Sequence, residues 1–187
     1  MIALWGIPLG LLIGWIRGGK FDNLGSIRLT GIYLVFLAIA VQFLIFPTPW
    51  WTQPLIPWGR SFFHLASYGL VVVFLILNRR LTPLWIIACG IVMNLAVISA
   101  NNGHMPSRLQ SLQSSGQTGI AANLAGAPDQ TWGNIVMMGE GTRLNFLGDW
   151  MWLPIWIPFG GAFSPGDLTL LIAVAWLIQR AMARSSE

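Results

Sequence analysis

Apolar positions along the chain fall into five long stretches, broken by short polar or proline-rich segments. The stretches cover residues 1–16, 29–46, 61–78, 83–100 and 168–182. Each approaches the roughly 20 apolar residues that an α-helix needs to cross a bilayer core. The pattern predicts an all-α integral membrane fold: five transmembrane helices in a single membrane domain, residues 1–187. The breaks suit that reading. Arg17-Gly18-Gly19-Lys20 closes the first stretch, and Pro47, Pro49, Pro54 and Pro57 stop the second, because proline removes a helix donor and clashes with the preceding turn. Trp50, Trp51 and Trp58 in that break mark a membrane–water interface. Pro83 opens the fourth stretch in its first turn, where a missing N–H is harmless.

The long connection, residues 101–167, is different in kind. Gln, Ser, Gly and Asn dominate from Ser107 to Asn134, which reads as an outer loop. Loops of this length are usually functional or disordered. Trp150–Phe163 carries Pro154 and Pro158 four apart. It is too interrupted for a straight helix and too apolar for free solution, so an interfacial or re-entrant segment is expected.

Composition sharpens the class. Hydrophobic residues make up 55% and charged residues 9%, against roughly 25% charged in soluble domains. Trp outnumbers Tyr by 11 to 2, and Trp favours the interface where one side of its ring is wet. The lone cysteine, Cys89, excludes a disulfide within the chain and gives no metal-binding pair. No basic aromatic patch points to nucleic acid. No basic residue precedes the first apolar stretch, so an uncleaved helix is expected there and not a signal peptide.

Charge placement sets an orientation. With the N-terminus outside, the inner loops hold Arg17, Lys20, Arg28, Arg79, Arg80, Arg180 and Arg184, while Arg60, Arg108 and Arg143 lie outside. Positive residues concentrate on the inner side of membrane proteins, so N-out and C-in is the expectation. Gly6, Gly10, Gly14 and Gly18 recur every four residues and line one helical face. Small residues let a second helix approach closely. Whether that helix belongs to this chain or to another membrane subunit stays open at this point.

Polar residues cluster on the outer half. Arg60, His64 and Tyr68 form one stripe of the third helix, and Asn94, Ser99, Asn101 and Asn102 climb the fourth. They point to the level of Asp149 and Asp167, the candidate catalytic carboxylates. Asp167 lies thirteen residues before Arg180, about 20 Å along a helix, which sinks it below the outer surface of a ~30 Å core. Ionisable groups at such depth are functional candidates. Ser164-Pro165-Gly166-Asp167 is equally a good helix start. His64, Asn94, Asn102, His104 and Arg143 are the candidate ligand-binding residues, with Arg143 a possible partner for one aspartate. No cofactor is required, although His64 has the chemistry to ligate a haem or pigment axially. No metal-ligand spacing is present.

The order of motifs carries a resemblance. Arg17-Gly18-Gly19-Lys20 with Asn23-Leu24, His64-Leu65-Ala66-Ser67-Tyr68, Leu77-Asn78-Arg79-Arg80-Leu81, Asn102-Gly103-His104-Met105-Pro106, Thr142-Arg143-Leu144, Phe146-Leu147-Gly148-Asp149 and Phe163-Ser164-Pro165-Gly166-Asp167 follow one another. This order resembles an uncharacterised bacterial family of small polytopic membrane proteins, catalogued as a domain of unknown function. The resemblance implies a multi-pass protein of the bacterial cytoplasmic membrane and offers no activity. Asp149, Trp152, Pro158, Phe163 and Asp167 also follow an order similar to that of lipoprotein signal peptidase, an intramembrane aspartyl enzyme. That enzyme's helix count differs, and its Asn/Arg motif has no counterpart here.

The leading expectation is a non-enzymatic accessory or scaffold subunit of a larger membrane complex, contacting membrane lipid and, through the Gly6/Gly10/Gly14 face, other subunits. The rival is an outer-leaflet enzyme hydrolysing its substrate with an aspartate pair, or a lipid-binding protein.

Overall fold

The computed structural model describes residues 2–26, 28–46, 53–127 and 130–183. The expected interface at Pro47, Pro49, Trp50 and Trp51, and Arg184 with its charge, lie outside the described residues. A 3-10 turn, Ile2–Trp5, leads into α1, Gly6–Ile16. Then come α2, Tyr33–Ile45, α3, Arg60–Leu77, and α4, Pro83–Ala100. The last helix, α7, runs from Pro165 to Ala183. Three helices, α3, α4 and α7, are long and apolar enough to cross a membrane. The other two apolar helices are shorter: the 13 residues of α2 rise only about 20 Å. It begins four residues later than the apolar stretch because Gly31 sits at φ +72°, a left-handed conformation that no right-handed helix includes. It ends at Phe46, which is extended (φ −118°, ψ 149°), as the residue before a proline must usually be.

Two close approaches define the bundle. The α1 face of Gly6, Gly10 and Gly14 is filled by α7 of the same chain. A Cβ on Gly10 would stand 2.7 Å from the Ala175 carbonyl oxygen, and one on Gly6 would stand 2.6 Å from that of Leu171. A subunit contact through this face would therefore have to displace α7. On its other side α7 crosses α4 where Gly90 and Gly166 meet, with the Gly166 carbonyl 2.8 Å from a Cβ on Gly90. The remaining pair is α2 with α3. Lipid supplies no hydrophobic drive between helices, so such close backbone packing carries the association.

Polar groups staple the end opposite the aspartates. Asn78, just past α3, accepts from the Thr30 N–H at 2.8 Å and donates to the Thr30 and Phe74 carbonyls at 2.7 and 2.8 Å. The Lys20 N–H and the Asn23 amide both donate to the Met182 carbonyl near the end of α7. Gln179, with its amide oxygen turned to Arg17, accepts from the guanidinium at 2.9 and 3.1 Å.

The other end departs from the all-α expectation. Residues 101–164 fold into a cap of short strands and helices. Strand β1, Met105–Ser107, pairs in parallel with β3, Ile135–Met137, and β2, Thr131–Trp132, pairs antiparallel with β3. The Gln/Ser-rich stretch contains α5, Leu109–Ser115, and α6, Thr118–Gly126, which close over Leu112, Ala121 and Leu124. The Trp/Pro segment, expected to be interfacial or re-entrant, is a β-hairpin of β4, Met151–Leu153, and β5, Gly161–Phe163. Its backbone is held by the residues that made the stretch look like a loop. Ser111 Oγ donates to the Trp150 carbonyl at 2.6 Å, and Gln117 Oε1 accepts from the Ala162 N–H at 2.9 Å.

Candidate functional site

The site begins at the start of α7. Ser164 precedes Pro165, whose absent N–H costs nothing there. Ser164 Oγ accepts from the Asp167 N–H at 3.0 Å, and Asp167 Oδ2 accepts in return from the Ser164 N–H at 3.4 Å. This is a reciprocal capping box, which satisfies two of the N–H groups a helix start leaves free. The buried Asn94 of α4 closes the ring. Its Nδ2 donates to Asp167 Oδ1 at 2.9 Å, and its Oδ1 accepts from Ser164 Oγ at 2.8 Å. Gly166 makes room, because a Cβ there would collide with Asn94 Oδ1.

Asp149 arrives from the cap. Met151 pairs with Phe163 across the hairpin, so the residues just outside the two strands fold back towards each other. The backbone of Asp149 lies along β1: its N–H donates to the Pro106 carbonyl at 2.8 Å, and its carbonyl accepts from Arg108 at 2.9 Å. Gly148 permits this, since a Cβ would stand 2.5 Å from the Pro106 oxygen. Asp149 Oδ2 accepts from Ser107 Oγ at 3.0 Å, whereas Oδ1 is sealed from solvent and has no hydrogen-bond partner. Burial pushes the Asp149 carboxyl up to about 7, and the negative charge of Asp167 pushes the same way. The Ser107 hydroxyl pulls against both. The residue is partly exposed although this one oxygen is shut in.

Tyr68 of α3 lies within electrostatic reach of both carboxylates. Its ring stands 5.5 Å from that of His64. His64 is only 2% exposed, with Nδ1 3.0 Å from the Gly103 carbonyl and the Phe46 ring edge-on at 4.9 Å. A ring so enclosed does not suit axial ligation of a haem or pigment. It staples α3 to the turn after α4.

The sequence candidates thus divide. Asp149, Asp167 and Asn94 converge, with His64 adjoining through Tyr68. Asn102, His104 and Arg143 serve the turn beyond α4. Asn102 is exposed at φ 54°, and its carbonyl accepts from Ser61 Oγ. His104 is pushed below the ordinary histidine value by burial, with the Arg60 charge acting the same way and the Asn101 and Asn102 carbonyls opposing. Arg143 is exposed, and its backbone, not its guanidinium, is gripped: Asn101 accepts from its N–H and donates to its carbonyl, each at 2.8 Å. Arg143, a candidate partner for one of the aspartates, does not answer Asp149 Oδ1, which has no hydrogen-bond partner. Ser107, Ser164 and Tyr68 join the site without having been singled out as ligands. Ser164 had a legible signal in its place before Pro165 and Tyr68 in its stripe with Arg60 and His64, whereas Ser107 had none.

Residues 26–179 match a family model described as a family of unknown function, DUF5317. No curated protein and no solved structure matches the chain, so the likeness to lipoprotein signal peptidase gains no support from either comparison.

Proposed function

The chain belongs to DUF5317, a family of unknown function, and from its carboxylate pair we propose a membrane-embedded hydrolase acting at the outer leaflet. One observation carries the reading: Asp149 Oδ1 is buried without a partner, and the charge of Asp167 acts on the same carboxyl. An orphaned buried oxygen is costly, and such strain is tolerated where a site needs a group ready to bind or to give a proton. Two carboxyls with unequal hydrogen bonding, Asp167 accepting through both oxygens and Asp149 through one, are the minimum for general acid and base work.

In this reading Asp149 holds the proton. Asp167, whose two oxygens both act as acceptors, is the base. A water loses a proton to Asp167 as its oxygen adds to an acyl carbon, and Asp149 gives its proton to the acyl oxygen. Collapse breaks the carbon–nitrogen or carbon–oxygen bond. The leaving atom takes the proton from Asp167, and the second hydroxyl returns one to Asp149. The products are a carboxylic acid and an amine or alcohol.

The substrate class follows from the hairpin. No charged residue occurs from Trp150 to Gly166, and Trp152, Ile155, Trp156 and Phe159 are exposed. Such a surface beside the start of a spanning helix favours a substrate held in lipid, with its scissile bond at headgroup level. The bias of basic residues among the loops supports the reading that this end faces outside. The accessory-subunit reading drew in part on the α1 glycine face, which α7 occupies, and so loses that motive.

The test is to incubate the purified full-length protein with lipid and lipid-anchored peptide extracts and to identify products by mass spectrometry. Products that vanish with Asp149→Asn and with Asp167→Asn, while circular dichroism stays unchanged, support the reading. Product formation equal in wild type and both variants, or none from any extract together with a stably co-purifying protein partner, overturns it.

A further inference from the structure

We propose that the seam between α3 and α4, at the end away from the aspartates, is a binding groove for one acyl chain of an anionic phospholipid. Its headgroup phosphate is held by Arg79. The packing explains why a groove exists. Helix α3 is backed by α2, and α4 by α7, so the seam between the two pairs is left uncovered at this end among the described residues.

The groove encloses about 280 Å³, at the small end of ligand pockets and suited to a single chain. Leu75 and Ile76 of α3 and Ala88, Ile91 and Val92 of α4 line it. Leu75 and Ile91 form a buried floor, while Ile76 and Val92 are exposed lips. In lipid such a slot takes a hydrocarbon chain, because no other apolar filler is at hand.

The mouth selects the head. Arg79 lines the groove, is exposed, and is followed by Arg80. The Trp85 indole N–H donates to the Arg79 carbonyl at 3.0 Å, which fixes the ring across the opening. Of the six acidic residues in the chain, Asp149 and Asp167 lie at the far end, Glu140 lies in the cap, Asp22 lies in the 3-10 turn Phe21–Ser26 against α7, and Asp129 and Glu187 lie outside the described residues. Neither α3 nor α4 carries an acidic residue that would compensate the Arg79 guanidinium. A basic pocket between spanning helices is matched by an anionic headgroup, and a planar guanidinium pairs with phosphate in bidentate fashion.

Native mass spectrometry of the full chain tests this. The delipidated protein in mild detergent is titrated with phosphatidylglycerol or with phosphatidylcholine. The expected result is one retained phosphatidylglycerol per chain, in preference to phosphatidylcholine. Arg79→Gln should reduce that preference about fivefold, the effect of one basic residue at an anionic surface, and Arg79→Lys should restore part of it. Ala88→Trp fills the groove and should abolish retention of the lipid while the thermal melt stays cooperative. Equal retention of both lipids by wild type, or an unchanged preference in Arg79→Gln, overturns the proposal. Arg79 is exposed and lies outside the bundle core, so that variant decides the matter even if Ala88→Trp fails to fold.

Discussion

Asn94 and Asp167 are seventy-three residues apart in sequence, and the amide of one donates to the carboxylate of the other at 2.9 Å. The same amide accepts from Ser164. A single buried side chain on α4 therefore closes the helix start of α7 and orients the carboxylate offered to Asp149. The crossing that permits this is the Gly90–Gly166 approach, which leaves no room for a larger residue at either position.

Replacing Asn94 should cost more than removing the cap it supports. Asn94→Leu keeps the branched shape but strands both Ser164 Oγ and Asp167 Oδ1, at about 1–3 kcal/mol for each buried group left unpaired. Ser164→Ala removes one capping oxygen and should cost about 1 kcal/mol. Denaturant unfolding in detergent, followed by circular dichroism, measures both. Equal losses would show that Asn94 acts only through the cap.

Asp149 gives a pH signature. Its carboxyl rises from the ordinary 3.8 to about 7 in the fold, so between those values the folded state binds the extra proton. Stability then falls as pH rises through that window and levels off above it. The drop should be on the order of 2 kcal/mol, discounted for the partial exposure of the residue. Asp149→Asn should flatten the profile between about pH 4 and 7. Thermal melts across that range check the sign; a stability that climbs with pH in wild type would contradict the assignment.

Sequence alone reached some of this and missed the rest for physical reasons. Apolar periodicity located the helices, and Ser164-Pro165 with Asp167 announced the start of α7 because capping is a local property. Convergence of Asp149 with Asp167 could be suspected but not read, since it depends on Met151 pairing with Phe163. Ser111 and Gln117 looked like loop residues because their partners are backbone atoms of the hairpin, far away in sequence. Asn78 was hidden in the same way: beside Arg79 and Arg80 it looked like part of a charged turn, yet it clamps Thr30. The short α5 and α6 did carry a signal in Leu109 and Leu112, and in Ala121 and Leu124, each pair three apart, which the surrounding Gln and Ser obscured.

The glycines of α1 should not respond alike. A Cβ on Gly10 meets backbone, at 2.7 Å from the Ala175 oxygen and 2.9 Å from its Cα. A Cβ on Gly14 meets chiefly the Met182 thioether at 2.5 Å, the movable end of a flexible chain. Gly10→Ala should therefore separate the helices and cost about 1–3 kcal/mol, as overpacking does. Gly14→Ala should cost less as Met182 turns aside. Thermal unfolding of the two variants in the same detergent compares them, and a larger loss at Gly14 would run against the packing described.

The hairpin offers a test confined to one part of the chain. Trp5, the last residue of the 3-10 turn before α1, donates its indole N–H to the Pro158 carbonyl at 2.6 Å. That bond ties the hairpin tip to the bundle, and the tip's own turns are closed by Ile157 N–H to Pro154 and Gly160 N–H to Ile157. A partner lost from such a bond is worth about 1 kcal/mol, or roughly fivefold in the local opening equilibrium. Trp5→Phe keeps the ring and removes the donor. Hydrogen exchange at the Ile157 and Gly160 amides should then quicken about fivefold, while amides inside α3 and α4 keep their rates. Because Trp152 and Trp156 are exposed, the loosened tip should also become sensitive to protease in detergent and recover protection in vesicles, where lipid covers the aromatic face. Unchanged exchange at both amides would mean that the hairpin is held by the cap helices alone.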